Sequence, residues 1–280
     1  MINSVFNYTG SKYKLLEQII PELDLTKRNF VDLFSGGGSV YLNVLHLYDK
    51  ILVNDIISDL IEIHRQLLFN PNDIVERTKK LCPSKNDKES FLKLRDEYNK
   101  NNRPEYLWAL MLSSTNNMMR FNNSFKYNQT FGERTFSDST QKKIDIFVDH
   151  VQKYKDNITF SSKPFNEVMI GSKSMVYIDP PYGRIQDENG NISNKQISEA
   201  GYNCYFKKQD DINLYNYIIN LNDNGHSFMV SGLLEHNGKV SWMLNKLIDY
   251  GFRYKELECD YNKVSRVGDK KSKEIIVMNY

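Results

Sequence analysis

A short acidic, proline-rich and aromatic motif, Asp179-Pro180-Pro181-Tyr182, follows an apolar run that predicts a strand. The Asp179 carboxylate and the Pro180 carbonyl can each accept one proton of an amino group, which turns the nitrogen lone pair toward an electrophile. The prolines stiffen the turn, and Tyr182 offers an aromatic face on which a planar base can stack. This residue set suits group transfer to a weakly nucleophilic aromatic amine, and it needs no covalent nucleophile.

A glycine-rich turn is the second candidate site. The apolar run 29–34 leads into three contiguous glycines, 36–38, and helical spacing follows them. This order of strand, glycine turn and helix lets a cofactor approach the backbone at the carboxyl end of a parallel strand. Asp55, about 20 residues after the first glycine, ends the next predicted strand and can accept hydrogen bonds from ribose hydroxyls. The pattern fits a dinucleotide or S-adenosylmethionine, and the contiguous glycines favour the methyl donor over G-x-G-x-x-G binding of a dinucleotide.

The remaining pattern is that of an α/β protein with an insertion. Residues 1–68 begin a β-α-β-α unit, and strand signals return in residues 156–280, which predicts one parallel sheet. Residues 69–155 have mostly helical periodicity and predict an inserted domain, with a loop or hairpin at about 116–135. The predicted helices are 74–81, 89–98 and 105–112, and the later predicted strands are 158–160, 174–178, 226–230, 252–258 and 274–278. The polar stretch 186–199 has no periodicity and predicts a mobile loop.

The chain resembles the Dam family of N6-adenine DNA methyltransferases, and most closely its T-even bacteriophage members. The similarity covers nearly the whole chain and includes, in one order, YTGSK, FVDLFSGGGSV, NDI, SFLKLRDEYNK, NNMMRFN, FGERT, FSSKPF, DPPY, GYNCYF and LLEHNGK. The order of glycine motif, recognition insert and DPPY is similar to that of the α group of amino-methyltransferases. The resemblance implies a Rossmann-like, S-adenosylmethionine-dependent methyltransferase sheet with an inserted, mostly helical DNA-recognition domain.

The resemblance also implies roles for individual residues. Asp179 to Tyr182 would hold an adenine flipped out of double-stranded DNA. Arg120 would contact guanine in the major groove and Arg134 a phosphate. The implied cofactor residues are Tyr8, Lys12, Phe34, Ser35, Gly36, Gly37, Gly38, Asp55, Phe165 and Asp179, and the implied DNA-binding residues are Met118, Arg120, Thr130 and Arg134.

Two positions depart from the phage pattern. Thr115 stands where the phage relatives carry an aromatic residue that can wedge into the base stack, and Thr130 stands where they carry proline. Both positions concern recognition. The resemblance implies GATC as the target, and the two departures leave a related short site as the alternative.

Composition limits the partners and the compartment. Lys plus Arg number 37 against 35 Asp plus Glu, so a nucleic-acid surface must be local. The three cysteines are far apart and the five histidines are scattered, which predicts neither a disulfide framework nor a metal site. Apolar runs fall short of the roughly 20 residues of a membrane span. We expect a cytoplasmic protein of a bacterial or phage-infected cell that acts as a monomer or weak dimer on DNA.

Two polar clusters are interpreted as solvent-exposed turns with no catalytic role. Glu235, His236 and Asn237 predict a solvated turn after a strand. Lys270, Lys271 and Lys273 predict the turn of a terminal hairpin, with phosphate contact as the alternative.

Three other functions stay open at this stage. An RNA or protein-glutamine methyltransferase could use the same fold, although the NNMMRFN to FGERT segment resembles a duplex-reading element. A DNA-binding protein that has lost turnover is disfavoured by the intact Asp55, Asp179 and Tyr182. A nicotinamide-dependent dehydrogenase could share the glycine turn and Asp55, and fold alone does not exclude it.

Overall fold

The computed structural model of the chain describes residues 1–8, 10–198, 206–258 and 272–280. Its helices are α1 (Leu16–Ile19), α2 (Tyr41–Val44), α3 (Ser58–Phe69), α4 (Pro71–Leu81), α5 (Lys88–Asn101), α6 (Pro104–Ser113), α7 (Asp138–Val151), α8 (Lys208–Asp223) and α9 (Trp242–Asp249). Its strands are β1 (Asn29–Asp32), β2 (Lys50–Asn54), β3 (Ile158–Ser161), β4 (Met175–Ile178), β5 (Arg184–Gln186), β6 (Ile192–Gln196), β7 (Ser227–His236), β8 (Lys239–Val240), β9 (Arg253–Leu257) and β10 (Ser272–Met278). None of the described helices is long and apolar enough to span a membrane.

The central sheet has the strand order β3-β2-β1-β4-β7-β10-β9, and the short β8 pairs with the end of β7. The first five strands in this order are parallel, and β10 runs antiparallel to both of its neighbours. The strand order reverses at β1, which lies between β2 and β4. Ligands of open parallel sheets bind beyond the carboxyl ends of the strands at such a reversal. The predicted, mostly parallel α/β sheet is thus confirmed, and its topology indicates where the site lies.

Apolar side chains cover both faces of the sheet. Alternate residues of a strand point to opposite faces, so Phe30 and Tyr177 join one hydrophobic cluster while Val31 and Val176 join another. Helices α8 and α9 cover the second face with Leu214, Ile218, Leu221, Met243, Leu244 and Leu247. The sequence analysis did not predict these two helices, although 214, 218 and 221 have helical spacing.

Helices α3 to α7 lie between β2 and β3 in the chain. Their buried residues, among them Ile74, Phe91 and Trp108, belong to the same cluster as the first face of the sheet. The three helices predicted in this region are present as α4, α5 and α6, and each is longer than predicted. Proline is the first residue of α4 and of α6, a position where its missing N–H costs no hydrogen bond. Helix α7 was not predicted.

Residues 114–132, between α6 and α7, form an irregular hairpin. Two antiparallel bridges join Ser114 to Phe131 and Phe121 to Tyr127. The Tyr127 hydroxyl shares a hydrogen bond of 2.7 Å with Ser114 Oγ, which fastens the hairpin to the end of α6. Gly132 permits this close packing, because a Cβ atom there would lie 2.4 Å from the Ser114 carbonyl carbon.

The prediction of a mobile loop at 186–199 is wrong for the described part of that stretch. Strands β5 and β6 form a two-stranded hairpin in which Arg184 pairs with Gln196. The turn is closed by Asp187, whose Oδ1 accepts from the backbone N–H groups of Asn189 at 3.0 Å and Asn191 at 2.8 Å. Turn chemistry of this kind can form a hairpin without an alternating apolar pattern, so the periodicity of the sequence does not reveal these strands. Residue 199 lies outside the described residues.

The predicted solvated turn at 235–237 is only partly right. Glu235 and His236 belong to β7 and pair with β8, while Asn237 and Gly238 make the turn with positive φ angles of 52° and 75°. The His236 Nδ1 lies 2.7 Å from Ser272 Oγ, so β10 covers this side chain.

Two further sets of predicted residues are only partly described. Lys273, predicted in a turn, lies in β10 and forms an ion pair of 2.6 Å with Glu256. Lys270 and Lys271 lie outside the described residues, as do Cys204 and Cys259. Cys82 is a free, partly buried thiol, and burial raises its pKa to about 11.

Candidate active site

The carboxyl ends of β1, β2 and β4 surround a cavity of about 260 Å³. The residues that follow these strands, together with the N-terminal segment, form its walls. The predicted site residues that line it are Tyr8, Lys12, Phe34, Ser35, Gly36, Gly37, Asp55, Phe165, Asp179, Pro180, Pro181 and Tyr182. The topology thus brings together residues that are up to 174 positions apart, from Tyr8 to Tyr182.

Glycine is required at two points of the loop after β1. Gly36 has a φ of +48°, and a Cβ atom there would lie 2.7 Å from the Tyr8 ring. Gly38 has a φ of +81°, and a Cβ atom there would lie 2.4 Å from Cε1 of Tyr41. Gly38 is buried and is not among the residues that line the cavity, so its predicted contact with cofactor stays a prediction. Its role in the structure is to let the loop pack on Tyr41.

His64 on α3 links the glycine loop to Tyr41 by two hydrogen bonds. Its Nε2 lies 3.0 Å from the Gly36 carbonyl oxygen and its Nδ1 lies 2.9 Å from the Tyr41 hydroxyl. Burial lowers the pKa of His64 to about 4, so the ring is neutral near pH 7. Nε2–H therefore donates to Gly36, and Nδ1 accepts from Tyr41. The sequence analysis missed this role, because a single histidine on an apolar helix face is usually a core residue.

Asp55 joins the glycine loop to the end of β2. Its Oδ2 accepts the Gly36 N–H at 2.9 Å and its Oδ1 accepts the Ile57 N–H at 3.0 Å. Burial raises the pKa of Asp55, while these backbone donors oppose the rise. Each carboxylate oxygen has a second lone pair. The carboxylate can therefore accept hydrogen bonds from two ribose hydroxyls and keep its hydrogen bonds to Gly36 and Ile57.

Asp179 lies in a buried cluster of charges. The Lys12 Nζ is 2.7 Å from Asp179 Oδ1 and 3.4 Å from Glu274 Oε1 on β10. Ser231 Oγ on β7 donates to Asp179 Oδ1 at 3.0 Å. The Asp179 carboxyl group is thus held by residues from both ends of the chain, and Glu274 and Ser231 were not predicted from the sequence.

The groups around Asp179 shift its pKa in opposite directions, and the net direction is upward. Burial raises the pKa of Asp179, and the Lys12 ammonium opposes that rise. Burial alone would lower the pKa of Lys12, but the charges of Asp179 and Glu274 outweigh it and raise the pKa well above its usual value. Lys12 is therefore a cation over the whole physiological range, and it contacts the Asp179 carboxyl group next to the cavity.

A third carboxyl group, Asp32, lies at the end of β1 and also lines the cavity. It is 2% exposed, and its Oδ2 accepts the Tyr41 N–H at 3.2 Å. Burial raises its pKa to about 8, against the hydrogen bond from Tyr41 and with help from the charges of Asp179 and Asp55. Asp32 is thus largely protonated at pH 7, a property that its position in the motif did not reveal.

Aromatic rings close the side of the cavity near α8. The Phe34 ring centroid lies 5.7 Å from that of Phe165 and 6.3 Å from that of Phe206. Phe206, Asp210 and Asn213 also line the cavity. These three residues were missed because α8 was not predicted. Across the described ranges, no group of three or more His, Cys, Asp or Glu residues is placed to hold a metal ion.

The predicted DNA-binding residues lie outside the cavity, on the irregular hairpin and just after it. Arg120 donates from Nε to Asn128 Oδ1 at 2.9 Å and from Nη2 to the Asn128 carbonyl at 2.8 Å. The exposed Arg134 reaches Asn117 Oδ1 at 3.4 Å. Met118 is partly buried and Thr130 is exposed.

The two departures from the phage pattern contact each other. Thr115 Oγ1 and Thr130 Oγ1 are 2.9 Å apart, and the Thr115 N–H donates to the Thr130 carbonyl at 3.0 Å. A hydroxyl pair therefore occupies the place of the aromatic residue and the proline.

A family profile described as "D12 class N6 adenine-specific DNA methyltransferase" matches residues 8–258. The chain belongs to this family. The match spans the glycine loop, Asp55 and the DPPY turn, so the residues around the cavity are those of a D12 class methyltransferase. The resemblance to Dam-like enzymes is confirmed at the level of the family.

Individual relatives agree with this placement. The D12 class chain is 32% identical to "Modification methylase StsI" of Streptococcus sanguinis and 31% identical to "Type II methyltransferase M.FokI" of Planomicrobium okeanokoites, in both cases over all of its length. It spans 43% of the length of each of these two relatives. It is also 28% identical to a "DNA adenine methylase" of Vibrio cholerae over 62% of this chain and 63% of that protein.

Proposed function

We propose that the chain is a DNA adenine-N6 methyltransferase that draws its target adenine out of double-stranded DNA. The observation that carries the proposal is the Asp179 carboxylate beside a cavity that is otherwise walled by a glycine loop and aromatic rings. Family membership supports DNA adenine as the acceptor. The cytoplasm of a bacterial or phage-infected cell is the proposed place of action, and a monomer or weak dimer on DNA is the proposed form.

The cavity fits S-adenosylmethionine as the cofactor. The run 34–37 and Tyr8 would hold its methionine end, Asp55 would bind its ribose hydroxyls, and Phe165 would pack near its adenine ring. Lys12 and Asp179 border the same space. Bound there, S-adenosylmethionine supplies an electrophilic methyl group on a positively charged sulfur. The carboxyl groups of Asp55 and Asp179 line the space that this cation would occupy.

The DPPY turn is proposed to hold the target base. The Asp179 carboxylate and the Pro180 carbonyl accept one hydrogen bond each from the adenine amino group, and this keeps the nitrogen lone pair free for attack. The Asp179 carboxylate has about four lone-pair sites, so it can accept from the amine while Lys12 stays in contact. It can also take the proton that the amine releases. Tyr182 stacks on the extruded base and offsets part of the few kcal/mol that flipping costs.

Residues 69–155 are proposed to act as the recognition domain. The exposed Arg134 would contact a phosphate, and Met118 and Thr130 would face the bases. Arg120 would contact guanine with the guanidinium N–H groups that its two bonds to Asn128 leave over, and those bonds fix its direction. GATC or a related short site is the proposed target. This choice of target rests on the resemblance of the segment from 116 to 135 to a duplex-reading element.

Transfer of tritium from labelled S-adenosylmethionine to duplex DNA tests the proposal. The wild-type protein labels adenine N6, and Asp179→Ala lowers the rate on the order of 10²–10³-fold because the acceptor of the amino protons is lost. Asp223→Ala, an exposed change at the far end of α8, is the matched control and leaves the rate unchanged. Wild-type protein that binds S-adenosylhomocysteine but labels no duplex, including random-sequence libraries, would refute the proposed function.

A further inference from the structure

The carboxylate of Asp211 lies directly against the residues that follow the DPPY turn. Its Oδ1 would be 2.1 Å from a Cβ atom built on Gly183, and it accepts the Arg184 N–H at 3.4 Å. Only glycine at 183 leaves room for this contact. Asp211 does not line the cavity, so it touches neither the proposed cofactor nor the proposed base.

Residues 183 and 184 are held from two sides. Asp211 contacts them from α8, and the Ile197 N–H donates to the Gly183 carbonyl at 3.1 Å from the other side. The Asp179 end of the turn is fixed by the parallel pairing of β4 with β1 and β7. The far end, next to Tyr182, lies outside the pairing of β4. Its other contacts are an antiparallel bridge from Ile185 to Ser241 and a hydrogen bond from Arg184 Nη2 to the Phe206 carbonyl at 3.2 Å. Asp211 adds a side-chain contact to the main chain of 183 and 184, directly after the turn.

Helix capping does not account for a buried acid at position 211. The cap of α8 is supplied by the neighbouring Asp210, whose Oδ2 accepts the Lys207 N–H at 2.7 Å. Asp211 is 0% exposed, and burial raises its pKa to about 7, against the opposing charge of Arg184. A buried acid is costly unless it is compensated. An apolar residue at position 211 would avoid the desolvation cost of a buried carboxyl group. The contact of Asp211 with the residues after the turn gives a reason for an acid at this position.

We propose that Asp211 is a positioning residue that fixes the DPPY turn, and through it Tyr182 and Pro180, at the distance from the cofactor that transfer requires. The inference rests on the proposed function, because the turn is assigned there to the target base. Asp211 acts through the main chain of Gly183 and Arg184. Misplacement of reacting groups by about 1 Å costs on the order of 10²-fold in rate.

Four proteins test this assignment: the wild type, Asp211→Ala, Gly183→Ala and the double variant. Asp211→Ala lowers kcat 10- to 100-fold, while the dissociation constant of S-adenosylhomocysteine changes less than about twofold. Gly183→Ala lowers kcat similarly, because its methyl group displaces the turn from the carboxylate. The double variant is no slower than Gly183→Ala alone, since removal of the carboxylate makes room for the methyl group. Asp223→Asn on the same helix is the control.

Multiplied losses in the double variant, or unchanged kcat in Asp211→Ala, would overturn the assignment. A parallel loss of cofactor affinity and kcat would do so too, because it would indicate general damage to the fold. Hydrogen exchange supplies a readout without turnover: Asp211→Ala speeds exchange of the Arg184 amide at least tenfold, while amides of β4 keep their wild-type rates. If the wild type is inactive on all DNA but Asp211→Ala still speeds exchange of the Arg184 amide, the proposed function is refuted. The role of Asp211 in positioning the turn is then still supported.

Discussion

Replacement of Asp32 by asparagine should change how the stability of the protein depends on pH. The amide matches the protonated carboxyl group in shape, and its oxygen can keep the 3.2 Å hydrogen bond from the Tyr41 N–H. Burial raises the pKa of Asp32 from 3.8 to about 8. The folded protein therefore binds this proton more tightly than the unfolded chain does, and the stability that the proton confers is lost as the pH rises toward 8.

The size of the effect follows from this window. Between pH 5.5 and 8 the wild type loses about 1.36 kcal/mol per pH unit, or roughly 3 kcal/mol in all, and Asp32→Asn does not. For a protein of this size such a difference corresponds to a shift of about 5–10 °C in the melting temperature. Urea unfolding of the wild type and the variant at pH 5.5 and pH 8.5 measures it. A stability difference between the two proteins that is the same at both pH values would refute the reasoning.

Three further predictions concern the glycine loop and the hairpin. Gly38→Ala should destabilise the protein by about 2–5 kcal/mol, because it combines a positive φ with a methyl group 2.4 Å from Tyr41; an unchanged urea midpoint would contradict this. His64→Gln should remove the loss of stability that the wild type undergoes as the pH falls from 6.5 to about 4, since only the unfolded histidine binds a proton there; acid titrations followed by circular dichroism would detect it. Arg120→Ala should relax discrimination at one outer base pair by about 1–3 kcal/mol, and uniform weakening on all sequences would assign this residue to the backbone instead.

Sequence reasoning located the cavity because its key residues follow strands. Asp55 and Asp179 each come directly after a short apolar run, and the carboxyl ends of parallel strands meet at one edge of the sheet. The spacing of these residues in the sequence therefore predicts that the glycine loop and the DPPY turn lie at the same edge of the sheet. The same logic could not place Gly38, because the direction of its Cα–H bond depends on the φ angles of the loop.

The missed residues are those that act through tertiary contacts. Glu274 lies on β10 and reaches Lys12 only because β10 is inserted beside β7. His64 reaches Gly36 from a helix 28 positions later in the chain. Asp211 lies on α8 and Phe206 lies just before it, and the amphipathic spacing of 214, 218 and 221 is the signal in the sequence for this helix. Periodicity identifies an element, and it does not tell which neighbour a polar side chain on that element will meet.

The position of β10 has a consequence for synthesis of the protein. This strand is made after β9 but lies between β9 and β7, so the sheet cannot close until residue 278 has left the ribosome. A nascent chain that ends before residue 272 lacks Glu274 and leaves the facing edges of β7 and β9 without their partner. Synthesis of this last strand therefore completes both the sheet and the buried ion-pair cluster of Lys12, Asp179 and Glu274.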